Sequence, residues 1–91
     1  MVNKAKKQGT TYESNIVSRL NKFNHVKAQR LAEGGSLDKG DIELILNNND
    51  VYYIEAKARQ NLNLHQTLNK ALAKSKSINT IVFWKKLKLQ K

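Results

Sequence analysis

The stretch from Gly40 to Lys57 constrains the fold more than any other part of this chain. It reads Gly-Asp-Ile-Glu-Leu-Ile-Leu, then Asn-Asn-Asn-Asp, then Val-Tyr-Tyr-Ile-Glu-Ala-Lys. Two apolar runs rich in β-branched and aromatic residues flank the turn formers Asn47 to Asp50, a pattern that predicts a β-hairpin. Alternation puts Ile42, Leu44 and Leu46 on one face of the first run, and Asp41, Glu43 and Ile45 on the other. On the second run, Tyr52, Ile54 and Ala56 oppose Val51, Tyr53, Glu55 and Lys57. Glu55 and Lys57 therefore share a face, roughly 7 Å apart along the strand. Asp41 comes level with Glu55 if the register allows it. Two carboxylates that converge can bind a hard divalent cation through oxygen, and a nearby lysine can act on whatever the cation activates. The plainer reading of Glu-x-Lys is a buried ion pair. Glu43 reads either as a supporting group or as a solvent-facing residue. Asp38 is a rival to Asp41, but Asp41 opens the apolar run while Asp38 sits in the loop before it.

The flanking segments supply helices and two further strands. Met1 to Gln8 is polar and lysine-bearing and reads as a flexible basic arm. Thr10 or Thr11 can cap a helix running to about Phe23, with Tyr12, Ile16, Val17 and Leu20 as its apolar stripe. Glu13 falls in its first turn, where a carboxylate also suits the helix dipole. Asn24 is expected to break that helix. His25 to Ala32 alternates as a strand, with Val26, Ala28, Arg30 and Ala32 on one face. Glu33 to Lys39 is a Gly-Gly-containing loop that can let a nucleic-acid backbone approach closely. After the hairpin, Asn61 or Asn63 caps a second helix whose inner stripe is Leu64, Leu68, Ala71, Leu72 and Ser75. Lys70, Lys74 and Lys76 are expected on its outer surface. Ile81-Val82-Phe83-Trp84 suits a buried fourth strand, with Trp84 in the core or at a dimer interface. The order α-β-β-β-α-β predicts an α/β fold, a mixed sheet flanked by helices, with residues 1–91 as a single domain.

Charge narrows the function classes. Seventeen Lys and Arg against seven Asp and Glu give a formal net charge of +10, which favours a polyanion, and nucleic acid first among them. There is no cysteine for a disulfide or a thiolate metal site. No apolar run is long enough to span a bilayer and Met1 starts no signal-peptide pattern, so the expected location is intracellular, in cytoplasm or nucleoid. At this size a homodimer interface would add useful burial. A purely binding basic protein is the bland alternative. Against it, a pure binder gains nothing by aiming carboxylates at phosphates.

Asp41 followed by Glu55-Ala56-Lys57 on the next strand resembles the PD-(D/E)xK nuclease superfamily. The resemblance extends to Glu13 before it and Gln66 after it, and so covers most of the chain. Within the superfamily the chain is most similar to the small Holliday-junction resolvases of archaea and phages, through Glu13, Arg30, Gly34-Gly35-Ser36 and Asp41 in that order. Gly40 stands where many members have proline. The resemblance implies a restriction-endonuclease-like core and a Mg²⁺-dependent endonuclease (Mn²⁺ substituting) that cuts branched DNA by paired nicks in recombination and repair. It implies Asp41, Glu55 and the Ala56 carbonyl as metal ligands with Glu13, Lys57 and Gln66 as catalytic neighbours, and Glu13 as a further ligand directly or through water. Arg30, Ser36, Lys39, Arg59 and Lys70 are the expected DNA contacts. A flap or branched-DNA nickase of the virus-type replication-repair kind is the alternative within the same chemistry.

Overall fold

The computed structural model describes residues 4–31 and 39–88, with side chains from residue 9 onward in the first of these segments. Six elements follow in the order expected: α1 (Lys4–Leu20), β1 (Val26–Arg30), β2 (Ile42–Leu46), β3 (Val51–Arg59), α2 (Leu64–Ser75) and β4 (Thr80–Lys86). The four strands make one mixed sheet in the order β1-β2-β3-β4. β1 to β3 run antiparallel, and β4 joins β3 in parallel after the α2 crossover.

The hairpin forms as the sequence predicts. Ile42 pairs with Ile54 and Leu44 with Tyr52. Asn49 takes a positive φ of 68° to close the turn, and the Asp50 N–H donates to Asn48 Oδ1 at 3.1 Å. Asparagine tolerates that left-handed backbone better than most residues.

The core lies between α1 and one face of the sheet. Ile16 meets Ala28, Ile42, Leu44, Ile54 and Ala56, with Tyr12, Val17, Leu20, Ile81 and Phe83 packed around them. Burial pushes the Tyr12 phenol above its ordinary value, and the Arg19 charge acts in the opposite direction. The α1 boundaries correct the sequence reading. The helix starts at Lys4, so Lys4 to Gln8 are helical rather than a flexible arm, and Thr10, Thr11 and Glu13 lie inside it. Lys4-Ala5-Lys6-Lys7-Gln8 are strong helix formers, and the helix runs through Gly9, where an added Cβ meets nothing within 4 Å. It ends at Leu20, short of Asn24. The Asn21 amide is then free to hold both the N–H and the C=O of Ala28, at 2.8 and 2.9 Å. This satisfies backbone groups on an edge strand that would otherwise be open to pairing.

Helix α2 covers the other face above β3 and β4. Asn63 caps it, its Oδ1 accepting from the Gln66 N–H at 3.0 Å, and Lys76 closes it in the left-handed region. Ser75 is fully buried and its hydroxyl lies 2.7 Å from that of Thr80, tying the end of the helix to the start of β4. Two expectations fail here. Leu64 and Leu68 are 52% and 37% exposed, so the inner face is carried by Ala71 and Ser75 rather than by the leucines. β4 is an edge strand with no fully buried residue, and Trp84 is 37% exposed rather than core. The Trp84 indole still donates to the Arg59 carbonyl at 3.1 Å. Among the described residues, no helix is long and apolar enough to cross a membrane.

Candidate active site

The site begins where the β2–β3 ladder breaks. The Asp41 N–H donates to the Ile54 carbonyl across to β3, while the Asp41 carbonyl accepts from the Leu31 N–H on the β1 side. In a regular antiparallel pair both groups of a residue serve the same neighbour, so the backbone turns at Asp41. Gly40 makes this possible. Its φ is +157°, and a Cβ there would lie 3.2 Å from the Ile54 carbonyl oxygen. Beyond the break, the ladder partner of Ala56 is missing, and the Asp41 carboxylate takes its place: Oδ2 accepts from the Ala56 N–H at 2.9 Å. The aspartate is thus fixed against the backbone of Glu55-Ala56-Lys57 rather than standing off the sheet face. A strand residue directs its N–H and C=O to the same side, so the Ala56 carbonyl also faces Asp41.

Glu55 is the buried charged residue among the described residues, 8% exposed. Its Oε1 lies 3.5 Å from Lys57 Nζ and 3.6 Å from Lys74 Nζ. Its Oε2 is buried with no hydrogen-bond partner. Buried carboxylate oxygens are costly to leave unmatched, by about 1–3 kcal/mol or more. Glu55 lines a cleft of about 260 Å³ between β3 and α2. Lys57, Arg59, Lys70 and Lys74 line that cleft together with Gln66 and Thr67. Four cations thus line the cleft around a single carboxylate, which gives it a positive field.

Of the residues expected from the sequence, the structure gathers Glu55, Lys57, Arg59, Gln66 and Lys70 around this cleft, with Asp41 locked to the adjoining Ala56. It does not bring Glu13 to them. Arg30 Nε donates to Glu13 Oε1 at 3.2 Å, a pair on the α1 side of the sheet, where Arg30 alternates with Val26 and Ala28. Among the described residues, no three His, Cys, Asp or Glu side chains form a group that could hold a metal. Lys39 sits over the Tyr53 ring, 5.4 Å from its centroid. Glu43 accepts from Gln29 at 2.8 Å, directly across the β1–β2 pair, which settles it as a cross-strand partner. Ser36 and Asp38 lie outside the described residues. Lys74 is the residue the sequence reading misplaced: it turns inward to Glu55 instead of lining the outer surface. The available signal was its spacing, three residues beyond Ala71 and seven beyond Thr67, on the stripe that faces the polar floor. Compared with known protein families, curated proteins and solved structures, the chain shows no match.

Proposed function

We propose that this protein is a metal-dependent endonuclease acting on branched DNA, with the four-way junction as its substrate. The observation that carries the reading is the hydrogen bond from Ala56 to Asp41, which fixes the aspartate beside Glu55-Ala56-Lys57. The element order and the parallel β3–β4 pair are those that a restriction-endonuclease-like core requires, and they support the same reading. The group this reading implies is a hard divalent cation, Mg²⁺ or Mn²⁺. Asp41 and Glu55 offer carboxylate oxygens, the Ala56 carbonyl faces the same side as Asp41, and Glu55 Oε2 is buried and unpartnered. Once bound, the cation would polarise a phosphoryl oxygen and acidify a coordinated water.

The protein's own groups do the rest. Lys57 orients the attacking water and donates to the phosphoryl oxygen as negative charge builds there. Gln66, in the first turn of α2, lines the cleft and can hydrogen-bond the same phosphate. Arg59 and Lys70 hold the neighbouring backbone, an attraction with little sequence information. Glu13 pairs with Arg30 at 3.2 Å. Recognition by DNA shape suits a domain this small, and paired nicks need two sites, which a symmetric homodimer supplies.

A second reading, a basic DNA-binding protein without cleavage, is favoured by one observation: Glu55 Oε1 is already flanked by two ammonium groups. A single experiment separates the two. An end-labelled four-way junction and a matched linear duplex are incubated with the protein in Mg²⁺ or in EDTA. Symmetric nicks in the junction, lost in EDTA and with Asp41→Asn, are expected. Nicks confined to flaps or duplex retain the nuclease and remove the junction, and tight binding without cleavage in either Mg²⁺ or Mn²⁺ establishes the binder.

A further inference from the structure

Two lysines share one oxygen of Glu55, and they are not equivalent. Lys57 belongs to the same strand, two residues away, with its ammonium 3.5 Å from Oε1. Lys74 reaches across from α2, its side chain 34% exposed on the cleft wall, at the end of a flexible four-carbon stem. Lys70, one helical turn earlier, lines the same wall and offers no ion pair to Glu55. An anion entering the cleft meets Lys70 and Lys74 together. A divalent cation arriving at Glu55 meets two positive charges already within 3.6 Å of Oε1. Like charges at that range oppose its binding, and of the two ammonium groups Lys74, 34% exposed against 26% for Lys57, is the one nearer solvent.

We propose that Lys74 is an internal counter-cation for Glu55, released when a phosphodiester enters the cleft, so that divalent cation and phosphate bind cooperatively. The inference rests on the nuclease reading above. In the empty cleft Lys74 neutralises Glu55 and keeps its affinity for a cation low. A phosphodiester draws Lys74 toward Lys70 and frees the carboxylate. Linkage makes the coupling reciprocal: the cation, by displacing Lys74, also strengthens the hold on phosphate. Lys74 is therefore a positioning residue, and its role is read in binding rather than in turnover.

The test is calorimetric titration of Mn²⁺ into the full chain, with and without dimethyl phosphate, a monoanionic diester that chelates Mn²⁺ weakly. Lys74→Met is expected to tighten Mn²⁺ binding about threefold to tenfold in the absence of the diester, as expected for removing one opposing charge at a partly exposed site. Lys74→Arg should behave as the wild type. Lys27→Met, which removes an exposed charge from β1 away from the cleft, should change Mn²⁺ affinity by less than about twofold. Dimethyl phosphate should tighten Mn²⁺ binding to the wild type and leave Lys74→Met unaffected. The proposal is overturned if Lys74→Met, with an unchanged far-UV spectrum, binds Mn²⁺ as the wild type does. It is equally overturned if the diester leaves wild-type Mn²⁺ affinity unchanged, a result that needs no variant to fold. Wild-type Mn²⁺ binding that Asp41→Asn abolishes, with Lys74→Met unaltered, removes this coupling alone. No Mn²⁺ binding by the wild type removes the metal-dependent nuclease as well.

Discussion

Replacing Asp41 separates what the residue does for the fold from what it does for chemistry. Its Oδ2 accepts the Ala56 N–H at 2.9 Å, the only acceptor that group has where the ladder ends among the bonds of the described residues. Asp41→Asn keeps a carbonyl oxygen that can accept the same bond. The change replaces a charge-assisted hydrogen bond, about 1.5–3 kcal/mol, by a neutral one of about 0.5–1.5 kcal/mol, a net loss near 1 kcal/mol. Asp41→Ala removes the acceptor and strands a half-buried N–H, for a loss of about 1–3 kcal/mol. In a domain of this length 1 kcal/mol moves the melting midpoint by about 4–8 °C, so the two variants should differ by several degrees. Urea and thermal unfolding followed through Trp84, the single tryptophan, read this directly. Cleavage should follow a different order: both variants lose it, because neither has the anionic oxygen a hard cation needs. If Asn proves as destabilising as Ala, the Asp41–Ala56 bond does not carry the local fold. If Asp41→Asn folds normally and still nicks the junction, the site is elsewhere.

Three further outcomes follow from the same geometry. Gly40→Ala should destabilise by about 1–3 kcal/mol, from the +157° φ and the 3.2 Å approach of its new Cβ to the Ile54 carbonyl, and calorimetry with the Asp41 variants would show whether the two effects overlap. Asn63→Ala should lose about 1 kcal/mol, with Asn63→Ser recovering most of it, since the Asn63 Oδ1 caps α2 at the Gln66 N–H; a loss in the alanine variant that serine fails to restore would refute the cap. The raised Tyr12 phenol gives a pH dependence whose sign is fixed: the folded state holds its proton above pH 10.0, where the unfolded chain releases it, so the contribution is complete below that value and is lost as pH rises through the folded value. Tyr12→Phe should flatten that alkaline loss in equilibrium unfolding.

The hairpin was legible because every local signal agreed. Alternation, β-branched residues and a run of asparagines all pointed to two strands and a turn, and the structure adds the register that pairs Ile42 with Ile54. The core face was legible for the same reason. The start of α1 was not, because Gly9, Thr10 and Thr11 look like a break and a cap, while the helix formers before them outweigh one glycine. The orientation of α2 failed for a more instructive reason. Its leucines, Leu64 and Leu68, predict a helix lying on an apolar surface, but the surface beneath it is the face of β3 that carries Glu55 and Lys57. A polar floor selects the stripe of Thr67, Ala71, Lys74 and Ser75, and leaves the leucines outward. Hydrophobic periodicity identifies a helix's inner face only when the layer it covers is apolar.

That same conflict falls at the candidate site. A sheet of four strands with helices on both faces would gain most from two apolar faces, and this one has an apolar face only under α1. On the α2 side a buried carboxylate oxygen stays unpartnered and two lysines crowd its neighbour, an arrangement that a bound ligand would relieve. Ligand binding should therefore stabilise the fold as well as occupy the cleft. A cation that satisfies Glu55 Oε2 acts on the folded state alone and raises the melting midpoint in proportion to the logarithm of its concentration above its Kd. Adding Mn²⁺ with dimethyl phosphate to the wild type should therefore raise the midpoint, and Glu55→Gln should abolish that rise. A Glu55→Gln protein whose midpoint still responds to Mn²⁺ would place the cation elsewhere and leave the strained carboxylate without a function.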